Sequence, residues 1–189
     1  MKKLSTPSRW KAGPILAVLI GAHAQAAAGA DGLEALGEPD FKNSVWLGSA
    51  FGFSVDADAP SFSFSGTYER ALGGPWGAYV GLGWEQEYRD VGAVGRLRGQ
   101  SLDLGFGASY AATDRIGLSL GASKTLRGWE EGAGWSSVAA DDAWSIDFGI
   151  GYSFDLSERV SWGPSVTFSY GVNSDELLIY LDIGVGYAF

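Results

Sequence analysis

From Leu177 to the last residue an apolar side chain stands at every second position: Leu177, Ile179, Leu181, Ile183, Val185, Tyr187 and Phe189. The positions between them are Leu178, Tyr180, Asp182, Gly184, Gly186 and Ala188. A period of two is the period of a β-strand, so one face of this strand is greasy and the other mostly small or polar. The same pattern recurs upstream. Val45, Leu47, Phe51 and Phe53 predict a first strand, with Ser49 interrupting its apolar face, and Phe62, Phe64 and Tyr68 predict a second, set among serines and a threonine. A third carries Trp76, Ala78, Val80, Leu82 and Trp84, and a fourth Leu102, Leu104, Phe106, Ala108 and Tyr110. Ile116, Leu118, Leu120 and Ala122 mark the fifth, and Trp144, Ile146, Phe148, Ile150, Tyr152 and Phe154 the sixth. Val160, Trp162, Val166, Phe168 and Tyr170 mark the seventh, and the closing strand is the eighth.

Eight such segments in one chain predict a closed ring. Inside a bilayer every backbone polar group must be paired, so strands cross it only as a barrel, and single-chain bacterial barrels use even strand counts from about 8 upward. Each segment has roughly the 9–11 residues that a tilted spanning strand needs. The polar face is built from glycine, serine and threonine rather than lysine and glutamate, which suits a cramped interior better than a water-washed exterior. The predicted fold is therefore all-β: a transmembrane, antiparallel, eight-stranded up-and-down β-barrel. The competing arrangement is a soluble barrel with the same aromatics packed inside it.

The amino-terminal end fits secretion. Lys2, Lys3, Arg9 and Lys11 form a basic start, Pro14 to Gly21 a short apolar run, and Ala22, Ala24, Ala26 and Ala28 small cleavage choices. The apolar run falls short of the ~20 residues of a spanning helix. Residues 1–30 are expected to be a signal peptide cleaved between 24 and 31, residues 31–43 a periplasmic tail, and residues 44–189 the barrel. Setting the four leader cations aside leaves nine of the 13 basic residues against 22 acidic ones, a net charge of −13. That excludes nucleic acid as an expected partner, because a phosphate backbone calls for a basic patch. With no cysteine in the chain there is no disulfide, thiol nucleophile or thiolate metal site.

The connections divide into two kinds. Ala71-Leu72-Gly73-Gly74-Pro75, Ala112-Thr113-Asp114-Arg115 and Asp155-Leu156-Ser157-Glu158-Arg159 are compact turn sequences. The last two echo each other in Asp114-Arg115-Ile116-Gly117-Leu118 and Glu158-Arg159-Val160-Ser161-Trp162, a weak internal repeat. With both chain ends periplasmic, these become the periplasmic turns, and the outward loops fall near residues 56–59, 89–95, 128–142 and 173–176. Trp76, Tyr110, Phe154, Trp162, Tyr187 and Phe189 share the lipid-facing parity and the turn end of their strands, which predicts one interfacial girdle. Trp84, Trp144 and Tyr170 would form the other.

These features together resemble the small outer-membrane barrels of the OmpA and OmpX type, in the leader, the eight alternating segments, the turn Tyr110-Ala111-Ala112-Thr113-Asp114-Arg115-Ile116-Gly117-Leu118 and the terminal Gly186-Tyr187-Ala188-Phe189. The likeness covers nearly all of the chain after the leader. It implies residence in a Gram-negative outer membrane among its lipids and lipopolysaccharide, a monomer, and passage through the barrel assembly machinery. That machinery reads the terminal strand, and in this sequence the signal falls on Tyr187 and Phe189. The resemblance is to the barrel alone, so no second domain that could grip peptidoglycan is expected.

Barrel enzymes of that membrane, the lipid A deacylase, palmitoyltransferase and omptin families, use a catalytic histidine. The single histidine here is His23, inside the leader. No catalytic residue, cofactor or metal is therefore expected, and the carboxylate pairs Asp141–Asp142 and Glu130–Glu131 read as solvated loop acids. Asp56-Ala57-Asp58 lacks the glycine and distal glutamate of a calcium loop, leaving a loose attraction of divalent cations to an acidic outer rim. Parity turns Glu69, Glu85, Glu87, Asp103, Asp147 and Asp182 inward, with Arg127 as their clear basic counterpart, a lumenal polar network. Its cost would be offset by trapped water, by a β-bulge turning Arg96 or Arg98 inward, or by protonation of Asp182. The expected role is structural or surface-interacting, with the loop at residues 128–142 and its Trp129 and Trp135 as the first candidate for partner contact. The alternative is a small porin-like barrel with a cation path past Tyr79, Tyr180 and Trp46. A lipid-modifying enzyme is the third choice.

Overall fold

The computed structural model describes residues 42–55, 60–90, 96–132, 135–139 and 143–189. The expected signal peptide, most of the expected tail, Asp56, Asp58, Asp141 and Asp142 lie outside them. Ten strands run in chain order: β1 Asn43–Ser54, β2 Pro60–Gly73, β3 Trp76–Asp90, β4 Arg96–Ala111, β5 Ile116–Gly132, β6 Trp135–Ala139, β7 Trp144–Tyr152, β8 Phe154–Asp155, β9 Val160–Gly171 and β10 Leu177–Ala188. Every pairing is antiparallel, and the sheet closes where β10 pairs with β1 from Ser44 opposite Ala188 to Ser54 opposite Leu178. Following the ring through β1, β2, β3, β4, β5, β7, β9 and β10 counts eight staves, as the alternation predicts.

The two short strands have local causes. β7 and β8 lie on one stave and face β9 in one unbroken register, Gly151 opposite Ser165 and Phe154 opposite Trp162. The gap between them sits across from Pro164, which has no N–H to give the ladder. β6 pairs with the upper end of β5, from Gly128 opposite Ala139 to Gly132 opposite Trp135. The segment at 128–142, expected as a loop, is thus largely a hairpin. Its sequence, Gly128-Trp129-Glu130-Glu131-Gly132 and Trp135-Ser136-Ser137-Val138-Ala139, carries no apolar alternation.

Burial is inverted relative to a soluble domain. Leu47, Leu82, Leu120, Ile146, Leu181 and Val185 are exposed around the outside, Leu181 to 61%. Serines and threonines fill the inside: Ser63, Ser101, Ser123, Thr125 and Ser169 are all buried. A belt of large apolar side chains running round a whole molecule far exceeds the few hundred Å² that a water-soluble monomer exposes, so its solvent is hydrocarbon. The soluble arrangement, which would shield the aromatics inside, is not the one adopted. Trp76, Phe154 and Tyr187 are exposed on the outer surface.

Strand lengths are uneven. The stave of β7 and β8 runs from Trp144 to Asp155 and β9 and β10 have 12 residues each, whereas β3, β4 and β5 have 15, 16 and 17. Since ~9–11 residues cross a bilayer, the β3–β6 side rises several residues higher than the rest.

Leu181 lies near the middle of β10, so Leu181→Arg should cost about 2–4 kcal/mol of folding stability in phospholipid vesicles. Urea titrations of the two proteins in such vesicles would measure it, and an unchanged midpoint would mean that this face is not in lipid.

Candidate functional site

Three large aromatics occupy the lumen. Tyr180 is 0% exposed and Trp46 2%, and Tyr79 is buried as well. Each faces a glycine directly across the ladder: Tyr180 opposite Gly52, Trp46 opposite Gly186, and Tyr79 opposite Gly107. The glycines are required there. A methyl group added at Gly52 would run into the Tyr180 ring and the Ser61 hydroxyl, one at Gly186 into the Trp46 indole, and one at Gly121 into the Tyr79 hydroxyl. Large side chains in a narrow barrel fit only where neighbouring strands supply no side chain. The path expected to run between these three residues is where they pack.

Around the aromatics lie carboxylates. Among the described residues every buried charged side chain is an acid: Glu69, Glu85, Asp103, Asp147, Glu176 and Asp182. Hydroxyl donors meet each one. Ser101 and Thr125 each donate to Asp103 at 2.7 Å, Ser169 to Asp147 at 2.6 Å, and Thr167 to Asp182 at 3.1 Å. Ser109 donates to Glu69, and Ser54 donates to Glu176 at the upper end of β1. Tyr180 reaches over β1 and β2 to donate to Glu85 on β3 at 3.2 Å, tying two walls together. Hydrogen bonds to a carboxylate offset part of the cost of taking it out of water.

Arg127 requires a correction. Straight alternation puts it in the lumen with the acids, but the β4–β5 register shifts between Leu102, opposite Arg127, and Asp103, opposite Thr125. Leu126 is the extra residue of a β-bulge, and the alternation changes face at Arg127. Thr125 stays inside on Asp103, while Arg127 is exposed and holds its guanidinium 5.1 Å from the centre of the Trp129 ring. Arg98 does not turn inward either. It is exposed and donates to Gln86 on the outer surface, 2.9 Å from Nε.

At the end of the barrel where the chain closes, Asn43 beside Phe189, the predicted interfacial aromatics meet in pairs. Trp76 lies 4.8 Å from Tyr110 between ring centres, Phe154 stacks on Trp162 at 5.0 Å, and Tyr187 on Phe189 at 6.4 Å. At the other end Phe64 stacks on Trp84, and Phe106 meets Trp144 edge-on. The ties that sequence reasoning missed, Tyr180 to Glu85 and each aromatic on its glycine, needed the strand register. An inward aromatic opposite an inward glycine is the signal that would have found them.

A closed ring of strands and an apolar belt define the class. The chain has the fold of the small eight-stranded outer-membrane β-barrels. No family model matches it, and no curated protein matches its sequence. Among solved structures it is similar to Ail, the attachment invasion locus protein of Yersinia pestis, at 17% identity over 79% of this chain and 99% of that one, with a TM-score of 0.56. It is also similar to Neisserial surface protein A, at 16% identity over 79% and 97% of the two chains, with a TM-score of 0.53. The Yersinia protein has further been solved with the heparin analogue sucrose octasulfate, and that structure aligns at 16% identity with a TM-score of 0.53.

Two substitutions probe the lumen. Gly52→Ala should destabilise by about 1–3 kcal/mol through overpacking, and far less in a Tyr180→Ala background, a coupling that a double-mutant cycle of unfolding free energies would read. Thr125→Val, which deprives the buried Asp103 carboxylate of a donor, should cost about 1–3 kcal/mol by the same measurement. Equal costs of Gly52→Ala in both backgrounds would show that Tyr180 does not occupy that seat.

Proposed function

We propose that this chain is an integral outer-membrane protein whose barrel is a rigid, filled scaffold and whose work is done at its ends, in a structural or surface-interaction role. One observation carries the reading: Trp46, Tyr79 and Tyr180 fill the lumen on glycine seats, so the interior is spent on packing. The high β3–β6 side supports it, since strand length beyond the bilayer adds nothing to spanning and presents a sheet to the outside. Residues 1–30 act as the signal peptide, and Tyr187 and Phe189 serve as the terminal signal for the barrel assembly machinery. The folded protein is a monomer among outer-membrane lipids and lipopolysaccharide.

The acidic balance narrows the partner. Ail has been solved with a sulfated sugar, but a chain of net charge −13 without its leader repels such polyanions. The surface partner of this chain is therefore neutral or cationic, or bridged by divalent cations to an acidic outer rim. An enzymatic role is disfavoured by the lack of histidine and cysteine beyond residue 23, which removes the commonest general base and the best nucleophile.

Planar-bilayer recording tests the scaffold against the porin-like alternative. The protein should add no conductance above that of a protein-free bilayer, and discrete cation-selective steps would establish the conducting role instead. Lipid A mass spectra should be identical with and without the protein, and a change in acylation would establish enzymatic activity.

A further inference from the structure

The weak sequence repeat at the second and third periplasmic turns becomes, in three dimensions, a pair of matching structures. In the first, the Thr113 hydroxyl accepts from the backbone N–H groups of Arg115 at 3.2 Å and Ile116 at 2.9 Å. In the second, the Ser157 hydroxyl accepts from Arg159 at 3.3 Å and Val160 at 3.1 Å. The backbone locks agree too. Ser153 N–H donates to the Arg115 carbonyl at 2.8 Å, and Ala188 N–H to the Arg159 carbonyl at 2.8 Å. Each donor follows a tyrosine, and that tyrosine receives the arginine: Arg115 Nη1 lies 3.4 Å from the Tyr152 hydroxyl, and Arg159 Nη1 3.4 Å from the Tyr187 hydroxyl. Two residues beyond each tyrosine stands a phenylalanine against its ring, Phe154 at 4.8 Å and Phe189 at 6.4 Å between centres.

We propose that these two turns are a matched pair of phosphodiester clamps, each holding the headgroup phosphate of a phospholipid in the periplasmic leaflet between an arginine and a girdle tyrosine. The proposal rests on the outer-membrane reading above. Because the guanidinium donates to the phenol oxygen, the phenol proton is directed elsewhere, and the pair presents cationic N–H and neutral O–H donors together. That set fits a phosphodiester oxygen pair and no cation. The stacked rings fix the depth, since aromatic girdles stand at headgroup level. The hydroxyl of Thr113 or Ser157 fixes the turn that carries the arginine, so the geometry exists before any lipid arrives.

The source of the phosphate follows from the local charge. Asp114 beside Arg115 in the chain and Asp155 from the neighbouring turn both act electrostatically on Arg115, and Glu158 adjoins Arg159, so neither site has a net positive charge to draw an anion from water. A lipid phosphate needs no such attraction, because the bilayer delivers it at the depth of the tyrosine hydroxyl. The remaining turn is an internal contrast. Leu72-Gly73-Gly74-Pro75 has no arginine, and its chain reverses through Gly73 and Gly74 at φ 118° and 55°.

The test is native mass spectrometry of the barrel inserted in nanodiscs of phosphatidylcholine doped with phosphatidylglycerol, counting phosphatidylglycerol retained on release. Two lipids should be retained by the parent protein, one by Arg115→Gln or Arg159→Gln, and none by the double variant. Arg98→Gln, at the opposite rim, should retain two. Tyr152→Phe with Tyr187→Phe keeps the rings and the fold while removing the hydroxyls, and it should lower retention as well. Millimolar inorganic phosphate should displace nothing. Unchanged retention in the arginine or tyrosine double variants, or displacement by free phosphate, would overturn the clamps while leaving the barrel reading intact. A protein that failed to enter the nanodisc at all would remove both.

Discussion

Hydrocarbon offers no hydrogen bonds, and the architecture follows from that. Each strand N–H and C=O within the bilayer needs a partner on a neighbouring strand, which leaves no room for a free edge, so the first strand must find the last. The long β1–β10 ladder is that closure. Once the ring is shut, the two faces of every strand face different solvents, and the period-two alternation becomes a division between lipid outside and a narrow interior. Even the flaw at Pro164 obeys the constraint, since the missing donor interrupts one ladder locally while the register on either side is kept.

The narrow interior imposes the second condition. Eight staves enclose a space about wide enough for side chains to fill, and here Trp46, Tyr79 and Tyr180 fill it because Gly186, Gly107, Gly121 and Gly52 stand aside. The acids among them are each answered by serine, threonine or tyrosine hydroxyls. Such an interior resists rearrangement, because a ring cannot leave its glycine seat without breaking hydrogen bonds such as Tyr180 to Glu85. The two rims differ, with the high sheet on one side and the arginine–tyrosine turns on the other.

The fold was legible in the sequence because the bilayer enforces alternation wherever a strand touches it. Where that enforcement stops, so does legibility. At the end of β5, Gly128 to Gly132 pairs with Trp135 to Ala139 without any apolar rhythm to announce it. Arg127 was misplaced for a related reason: parity counting assumes no inserted residue, and Leu126 is one. The acids could be assigned to the interior from parity, but their partners could not, because Thr125 on Asp103 and Ser109 on Glu69 depend on register and stagger between strands. The two arginine-bearing turns stood out as a repeat in the letters, yet their match in three dimensions depends on Tyr152 and Tyr187, which lie 37 and 28 residues away from their arginines.

Collision accessibility of nitroxide labels tests most directly whether lipid is the solvent of the outer face. A label at position 181 in vesicles should relax strongly with oxygen and hardly at all with a water-soluble nickel complex, with the balance shifting toward nickel at position 174 beyond the strand. Strong nickel contact at position 181, or a folded, monodisperse protein in buffer without any amphiphile, would contradict the account.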